Sequence, residues 1–257
     1  MSKANPFEPV GHETIADAVV NQIETMIVDG VLKEGHQLPS ERDLALMMQV
    51  SRPKIREALQ LLEERGLVTV RHGEGAFIAS LTGSAMSPAL LELYARHGET
   101  FYDYLEYRRE QEAFAARLAA FRATPADKQR IADIMEALQH SWEANDQDAS
   151  LQADFNFHTA ITDASQNSTL IHMMASIYDL TKSRIFYNRT FLLSIDGSGK
   201  RLLEQHLEIG NAVLAGDAER ADHAARSHLD FVERSFREGQ QQSLREIKAL
   251  KRQQLSR

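Results

Sequence analysis

Four residues in the second half of the sequence have the types and spacing to hold a metal ion. Asp154 and His158 stand four apart in a stretch of helical periodicity, so both side chains leave one face, a turn apart. Leu151 and Ile161 share that side and turn it inward. His206 lies among Leu202, Leu203, Ile209 and Val213, and His228 among Ala221, Ala224, Ala225 and Val232. Three imidazoles and a carboxylate thus point into one helical core from three helices. Buried imidazoles need partners, and three that meet a carboxylate suit a divalent transition metal, zinc foremost, with nickel and manganese as alternatives. The bland alternative is that each histidine is satisfied separately in the core. Asp-x3-His with two distant histidines is by itself a weak motif. His172 and His223 are read as surface or core residues, not ligands.

A second group of residues has the chemistry of nucleic-acid reading. Val50-Ser51-Arg52-Pro53-Lys54-Ile55-Arg56-Glu57-Ala58-Leu59-Gln60-Leu61-Leu62 reads as a helix with its cations at the front. Ser51 is a good N-cap, since its hydroxyl can accept from an orphan N–H of the first turn. Pro53 falls in that turn, where a missing N–H costs little. Ile55, Leu59 and Leu62 repeat at helical spacing and form a buried stripe. Arg52, Lys54 and Arg56 lie off it. An apolar back with a cationic leading end suits entry into a DNA major groove. Three cations alone would favour an ordinary amphipathic helix with a solvated face; the flanking elements reverse that balance.

Those elements follow from the pattern of the chain. Its 257 residues suffice for one large or two modest domains. Hydrophobic content of 43% and charged content of 26% are ordinary for a soluble globular protein. A net charge of −8 argues against DNA binding by the body as a whole, so a DNA contact must come from a local cationic patch. No apolar run is long enough to span a bilayer, and the N-terminus has no hydrophobic signal core. The absence of cysteine excludes disulfides and thiolate metal sites and fits a reducing cytoplasm.

In chain order, residues 1–11 read as disordered or extended. A helix follows from about His12 to Asp29, with Ile15, Val19, Val20, Ile23, Met26 and Ile27 inside and Gly30 ending it. Ser40 caps a short helix from Glu41 to Met48, with Asp43 completing an acidic capping-box-like start. Gln49-Val50 leads tightly into the cationic helix, which Gly66 stops. Two helices joined by a turn, the second with cations at its front, make a helix-turn-helix. Residues 67–71 and 76–79 read as strands around His72-Gly73-Glu74-Gly75, a hairpin that makes a wing. The expected domains are a winged helix-turn-helix over 1–80, a linker over 81–88 and a helical effector and dimerisation domain over 89–243. A basic tail, 244–257, is expected to be disordered. The fold class is therefore mainly α, the second domain an all-helical antiparallel bundle. Its helices are expected near 87–96, 100–121, 126–144, 149–165, 167–190, 198–215 and 217–243.

Several motifs in order carry a family resemblance. Leu38-Pro39-Ser40-Glu41-Arg42-Asp43-Leu44-Ala45, the cationic helix, Leu62-Glu63-Glu64-Arg65-Gly66-Leu67-Val68 and Gly73-Glu74-Gly75-Ala76-Phe77-Ile78 resemble the winged helix of GntR-family bacterial regulators. The likeness runs over roughly residues 12–80. It implies DNA contacts from Arg42, Arg52 and Arg56, with Lys54 at a variable contact position and Ser51 beside them. It also brings His72 and Gly73 towards the minor groove. Glu74 departs from the small neutral residue common there. Residues 87–240 resemble the helical FCD effector domain of the FadR-like branch. In its metal-binding members the ligands fall where Asp154, His158, His206 and His228 stand. Arg108 matches an arginine that faces the cavity, where it can fork onto a carboxylate; its alternative is a surface ion pair with Glu112. Arg184 and Asn188, one turn apart, are further candidates for the cavity wall. Ala123-Thr124-Pro125-Ala126-Asp127-Lys128 and Phe155-Asn156-Phe157-His158 resemble segments of lactate, glycolate and pyruvate regulators.

The resemblance implies a transcriptional repressor in the bacterial cytoplasm, associated with the nucleoid. A homodimer would place two recognition helices on a pseudo-palindromic operator. A small carboxylate effector, a 2-hydroxy or 2-oxo acid, would complete the metal coordination. The alternative is a metal-dependent hydrolase or lyase fused to a DNA-binding head, since an Asp/His3 ion with open positions can activate water. No evident general base or paired nucleophile supports it. A lipid or acyl-carrier sensor is a third reading, which the polar site disfavours.

Overall fold

The computed structural model describes residues 14–81, 86–96, 99–182, 192, 195 and 198–255. They form two compact units, Met1–Gly83 and Ser84–Arg257.

In the first unit, α1 (Ile15–Val28) starts with a capping box in which Thr14 Oγ1 accepts from the Asp17 amide and the Asp17 carboxylate accepts from the Thr14 amide. Its buried stripe is Ala16, Val19, Val20, Ile23 and Ile27. Ile15, expected inside, is 57% exposed. At about 100° per residue it falls at the margin of that stripe, and Ala16 takes its place. α2 (Glu41–Met48) opens at Ser40, whose hydroxyl accepts from the Asp43 amide. α3 (Arg52–Glu64) buries Ile55, Ala58, Leu59 and Leu62. Strands β1 (Val68–Arg71) and β2 (Gly75–Ile78) pair antiparallel, Val68 opposite Ile78 and Arg71 opposite Gly75. The three helices and the hairpin share one apolar core. This is the helix-turn-helix and wing that the periodicity predicts.

Ser51 corrects one expectation. Its backbone has N-cap geometry, but its hydroxyl makes no cap bond. An N-cap hydroxyl serves the N–H of the second or third helical residue. Here the second is Pro53, which has none, and the third, Lys54, donates instead to the Ser51 carbonyl at 3.0 Å.

The second unit is all helical: α4 (Pro88–Arg96), α5 (Thr100–Arg122), α6 (Pro125–Glu143), α7 (Gln147–Ala164), α8 (Ser168–Lys182), α9 (Ser198–Ala215) and α10 (Ala218–Leu255). α6 starts at a Thr124–Asp127 capping box with Pro125 in its first turn. α10 lies along α5 and α9, while α7 packs on α6 and α5. Alanines line these contacts, among them Ala113, Ala116, Ala212, Ala221, Ala224 and Ala225. Small residues let helix axes approach closely, which short aspartate and histidine side chains need if they are to meet. Two apolar clusters result. On α9, His206 stands between Leu202 of one and Ile209 of the other. On α10, His228 stands between Ala225 and Leu229 in the same way. Leu151, expected to turn α7 inward, is 42% exposed; Phe157 and Ile161 are among the buried residues of that helix. α10 also continues to Leu255, through the tail expected to be disordered. Beyond Gly239 that stretch has no glycine or proline and is rich in Gln, Leu, Arg and Lys, all good helix formers.

Leu62→Ala, at a fully buried site, should lower stability by about 2–5 kcal/mol. Leu46→Ala, at a site 71% exposed, should stay within about 0.5 kcal/mol of the parent. Urea midpoints of the full chain measure both.

Candidate functional site

The leading end of α3 carries Arg52 and Arg56 on an exposed surface, with Lys54 half-buried. Each cation meets an acid. Arg56 forks onto Glu41 of α2, Nε to Oε1 at 3.0 Å and Nη2 to Oε2 at 2.8 Å. Arg52 Nη2 lies 3.9 Å from the same carboxylate. The hydrogen bonds from Arg56 hold the Glu41 carboxyl below the usual range. Lys54 donates to Glu57 at 2.7 Å, and Arg42 Nε lies 3.5 Å from Asp43. In the wing, Arg71 stands over the Phe77 ring at 4.4 Å and 3.7 Å from Glu74. Gln37 donates to the Glu74 carbonyl at 2.6 Å and so stitches the tip to the body. His72 and Gly73 are exposed at that tip, where Gly73 takes a φ of +80°. Glu74, a departure from the resemblance, has a role here as the partner of Arg71.

In the helical unit, His158, His206 and His228 converge. One ligand atom from each lies within 4.8 Å of the others, and all three residues are buried. His158 Nε2 and His206 Nε2 are 3.2 Å apart. Asp154 Oδ1 is 3.2 Å from His206 Nε2, so the carboxylate meets the cluster through that ring. Phe157 stands edge-on to both His158 and His206.

The outward nitrogens are held by partners that the sequence did not single out as site residues. Glu112 Oε2 accepts from His158 Nδ1 at 2.9 Å. His228 Nδ1 faces Gln205 Oε1 at 3.2 Å. With Nδ1 of His158 protonated towards Glu112, its Nε2 lone pair is left facing the other rings, as a metal ligand requires. Burial, and next the neighbouring His158, push the His228 imidazole from 6.5 down to about 3, so it is neutral at ordinary pH. Inward-facing imidazoles beside a carboxylate fit a divalent transition metal, and the three histidines would hold one through their ring nitrogens, with Asp154 beside His206.

Arg108 is buried beside this cluster. Its Nε and Nη2 meet Glu112 Oε1 at 2.7 and 2.6 Å, and its guanidinium stands 5.7 Å from the Tyr104 ring and 5.9 Å from the Tyr178 ring. The Glu112 pair considered from the i,i+4 spacing therefore forms, but in the interior and not at the surface, because α8 and α10 cover that face of α5. Burial alone would push the Glu112 carboxyl up; Arg108 and His158 outweigh it and hold it far below the carboxylate range. Tyr178 is pushed well above its usual value, first by burial and then by Glu112. Its hydroxyl lies 3.1 Å from the Thr162 hydroxyl. Glu112, His158, Thr162 and Tyr178 border a cavity of about 10 Å³, room for roughly one water. Arg184 and Asn188 lie outside the described residues. His172 is half-buried and His223 exposed, and neither joins the cluster.

An Arg-x3-Glu pair on α5 among inward-facing residues was the available signal for Glu112. Tyr178 and Gln205 had no local signal.

Two family models match the chain. Residues 15–78 match the family described as bacterial regulatory proteins, gntR family, and residues 103–231 match the FCD domain. The chain is 35% identical over 222 residues to the putative L-lactate dehydrogenase operon regulatory protein of Escherichia coli (strain K12), covering 85% of this chain and 84% of that one. It is 39% identical over 209 residues to the HTH-type transcriptional regulator LutR of Bacillus subtilis (strain 168), covering 81% and 94%. It is 35% identical over 226 residues to the Glc operon transcriptional activator of Escherichia coli (strain K12), covering 86% and 89%. A solved structure, Streptococcus agalactiae GntR, shares the fold at a TM-score of 0.53 and 25% identity, over 86% of this chain and all of that one.

Glu112→Ala should lower stability by about 3–5 kcal/mol, because Arg108 would stay buried without its counter-charge. Glu112→Gln, which keeps an acceptor oxygen, should cost less. Equal urea midpoints for the parent and Glu112→Ala would show the pair to be dispensable.

Proposed function

The chain belongs to the GntR family of bacterial transcriptional regulators and carries an FCD domain, and from that membership we propose that α3 reads an operator while a metal-centred pocket in the helical unit sets the affinity. Its activity is regulation, not turnover: the relatives above are named as regulators.

The observation that carries the pocket is the convergence of His158, His206 and His228 with Asp154 at the junction of two apolar clusters. A divalent ion held by these residues, zinc foremost, would supply a Lewis-acidic centre for an oxygen ligand. The chain's own groups do the rest. Glu112 keeps His158 turned with one nitrogen inward. Arg108, a planar fork already engaged by a carboxylate, is the group suited to grip the carboxylate of an effector. Arg184 and Asn188 are proposed to line the same pocket. A 2-hydroxy or 2-oxo acid is the effector class we favour, in keeping with a relative named for a lactate dehydrogenase operon. The cavity bordered by Glu112, His158, Thr162 and Tyr178 holds roughly one water, so an acid bound there would have to part the surrounding helices. Binding that requires a rearranged unit is stronger for one conformation than another, which is the condition for switching.

On the DNA side, Arg42, Ser51, Arg52, Lys54 and Arg56 are the proposed contacts, with His72 and Gly73 at the wing. The other proposed features are a homodimer on a pseudo-palindromic operator and a place at the nucleoid of the bacterial cytoplasm. Residues 1–80 are the proposed DNA-binding domain and 89–243 the effector and dimerisation domain, joined by 81–88. Repression is our reading of the sign, since it needs only that the bound protein exclude polymerase. One relative is named an activator, the opposite outcome that a promoter-reporter assay would detect.

Arg52→Ala or Arg56→Ala should weaken operator binding by about 1–3 kcal/mol if either forks onto a base edge. Unchanged affinity in both variants rejects this placement of α3. His206→Ala should lower the metal content of purified protein, read by elemental analysis. Small 2-hydroxy and 2-oxo acids should shift operator affinity of the parent and not of His206→Ala. Equal metal content in the two proteins, or an operator affinity indifferent to every such acid, rejects the pocket.

A further inference from the structure

Glu41 stands at the first position of α2, yet its carboxylate is turned to the leading end of α3. It takes the Arg56 fork in two parallel hydrogen bonds and draws Arg52 to 3.9 Å. Two of the proposed reading cations are thus gathered by one acid on a neighbouring element. A phosphate oxygen pair and a carboxylate offer a guanidinium nearly the same geometry. Any DNA phosphate must therefore compete with Glu41 for Arg56, at a surface where the acid also repels the backbone. A guanine edge differs: its O6 and N7 accept a flat fork in the major groove, at the depth to which only a docked helix carries the side chain.

We propose that Glu41 is a specificity-determining positioning residue: it holds Arg56 as an oriented fork and withholds it from phosphates until a matched base edge replaces it. The inference rests on α3 being the reading helix and deepens that reading. Non-specific affinity comes almost wholly from phosphates neutralised by cations. An acid that occupies a cation lowers that affinity more than it lowers binding to the correct site. In a chain of net charge −8, the cationic patch is then small and tuned towards base reading. An ordinary surface ion pair, worth little and indifferent to sequence, would have none of these consequences.

The test compares the parent, Glu41→Gln, Glu41→Asp and Arg56→Ala on two probes, over a range of salt concentrations. One probe is the duplex that the parent selects from a randomised pool; the other is unselected duplex of equal length. Glu41→Gln should bind unselected duplex more tightly, with a salt slope steeper by about 0.9 for each phosphate newly met. Its ratio of selected to unselected affinity should fall by about fivefold or more, the low end of losing one bidentate base contact. Glu41→Asp, which keeps the charge on a shorter stem, should recover part of that ratio. An unchanged ratio and slope in Glu41→Gln overturns the proposal, and so does equal weakening on both probes, the mark of a merely structural role. If Arg56→Ala leaves binding to the selected duplex intact, the placement of α3 fails first, and is separately visible. If Arg56→Ala weakens that binding while Glu41→Gln keeps the parent ratio, only the role of Glu41 falls.

Discussion

A carboxylate shut away from water stays ionised only if cations or donors meet it from more than one side. Glu112 is such a group, and the helical unit is arranged around satisfying it. Arg108 comes from one turn earlier on α5, and His158 comes from α7. Each contact has two effects. The guanidinium lets the acid stay charged inside the bundle, and the charged acid in turn fixes which nitrogen of His158 carries the proton. The remaining lone pair then faces His206 and His228. A local ion pair on one helix thereby sets the chemistry of a site built from three others.

The surrounding apolar packing makes this possible. His206 and His228 each stand between a residue of one cluster and a residue of the other, and His158 meets them there. Alanines on the facing helices bring the backbones close enough for short side chains to span the gap. Larger residues there would separate the rings and leave three buried imidazoles without partners, an arrangement that costs more than it returns. Packing density and polar satisfaction are here one constraint.

The DNA-reading unit uses acids differently. Its carboxylates lie at the surface and hold exposed arginines in place: Glu41 for Arg56, Asp43 beside Arg42, Glu74 beside Arg71. Such pairs add little to stability in water. They shape the electrostatics of the free protein, since an acidic chain that must approach a polyanion does so through cations that are already partnered. Ser51 fits the same surface. Its hydroxyl is not used as a cap, because Pro53 removes one candidate donor and the Ser51 carbonyl takes the other.

Periodicity, caps and glycines were enough to place the helix-turn-helix, the wing and most boundaries of the helical unit, because these are local properties with local signatures. The inward direction of Asp154, His158, His206 and His228 was legible for the same reason, from apolar neighbours at helical spacing. Near two helix starts the apolar pattern misleads: Ile15 lies at the margin of its helix's buried stripe, and Leu151 is left 42% exposed. A basic segment without an apolar stripe gives no sign of a packed helix, yet α10 continues to Leu255 because nothing in that stretch breaks it. Tertiary structure alone decided that the Arg108–Glu112 pair lies in the interior, that Glu112 meets His158, that Gln205 meets His228 and that Glu41 gathers two cations of α3. Each of these joins different helices or depends on what covers a face, and a one-dimensional pattern carries no record of which helix will lie across another.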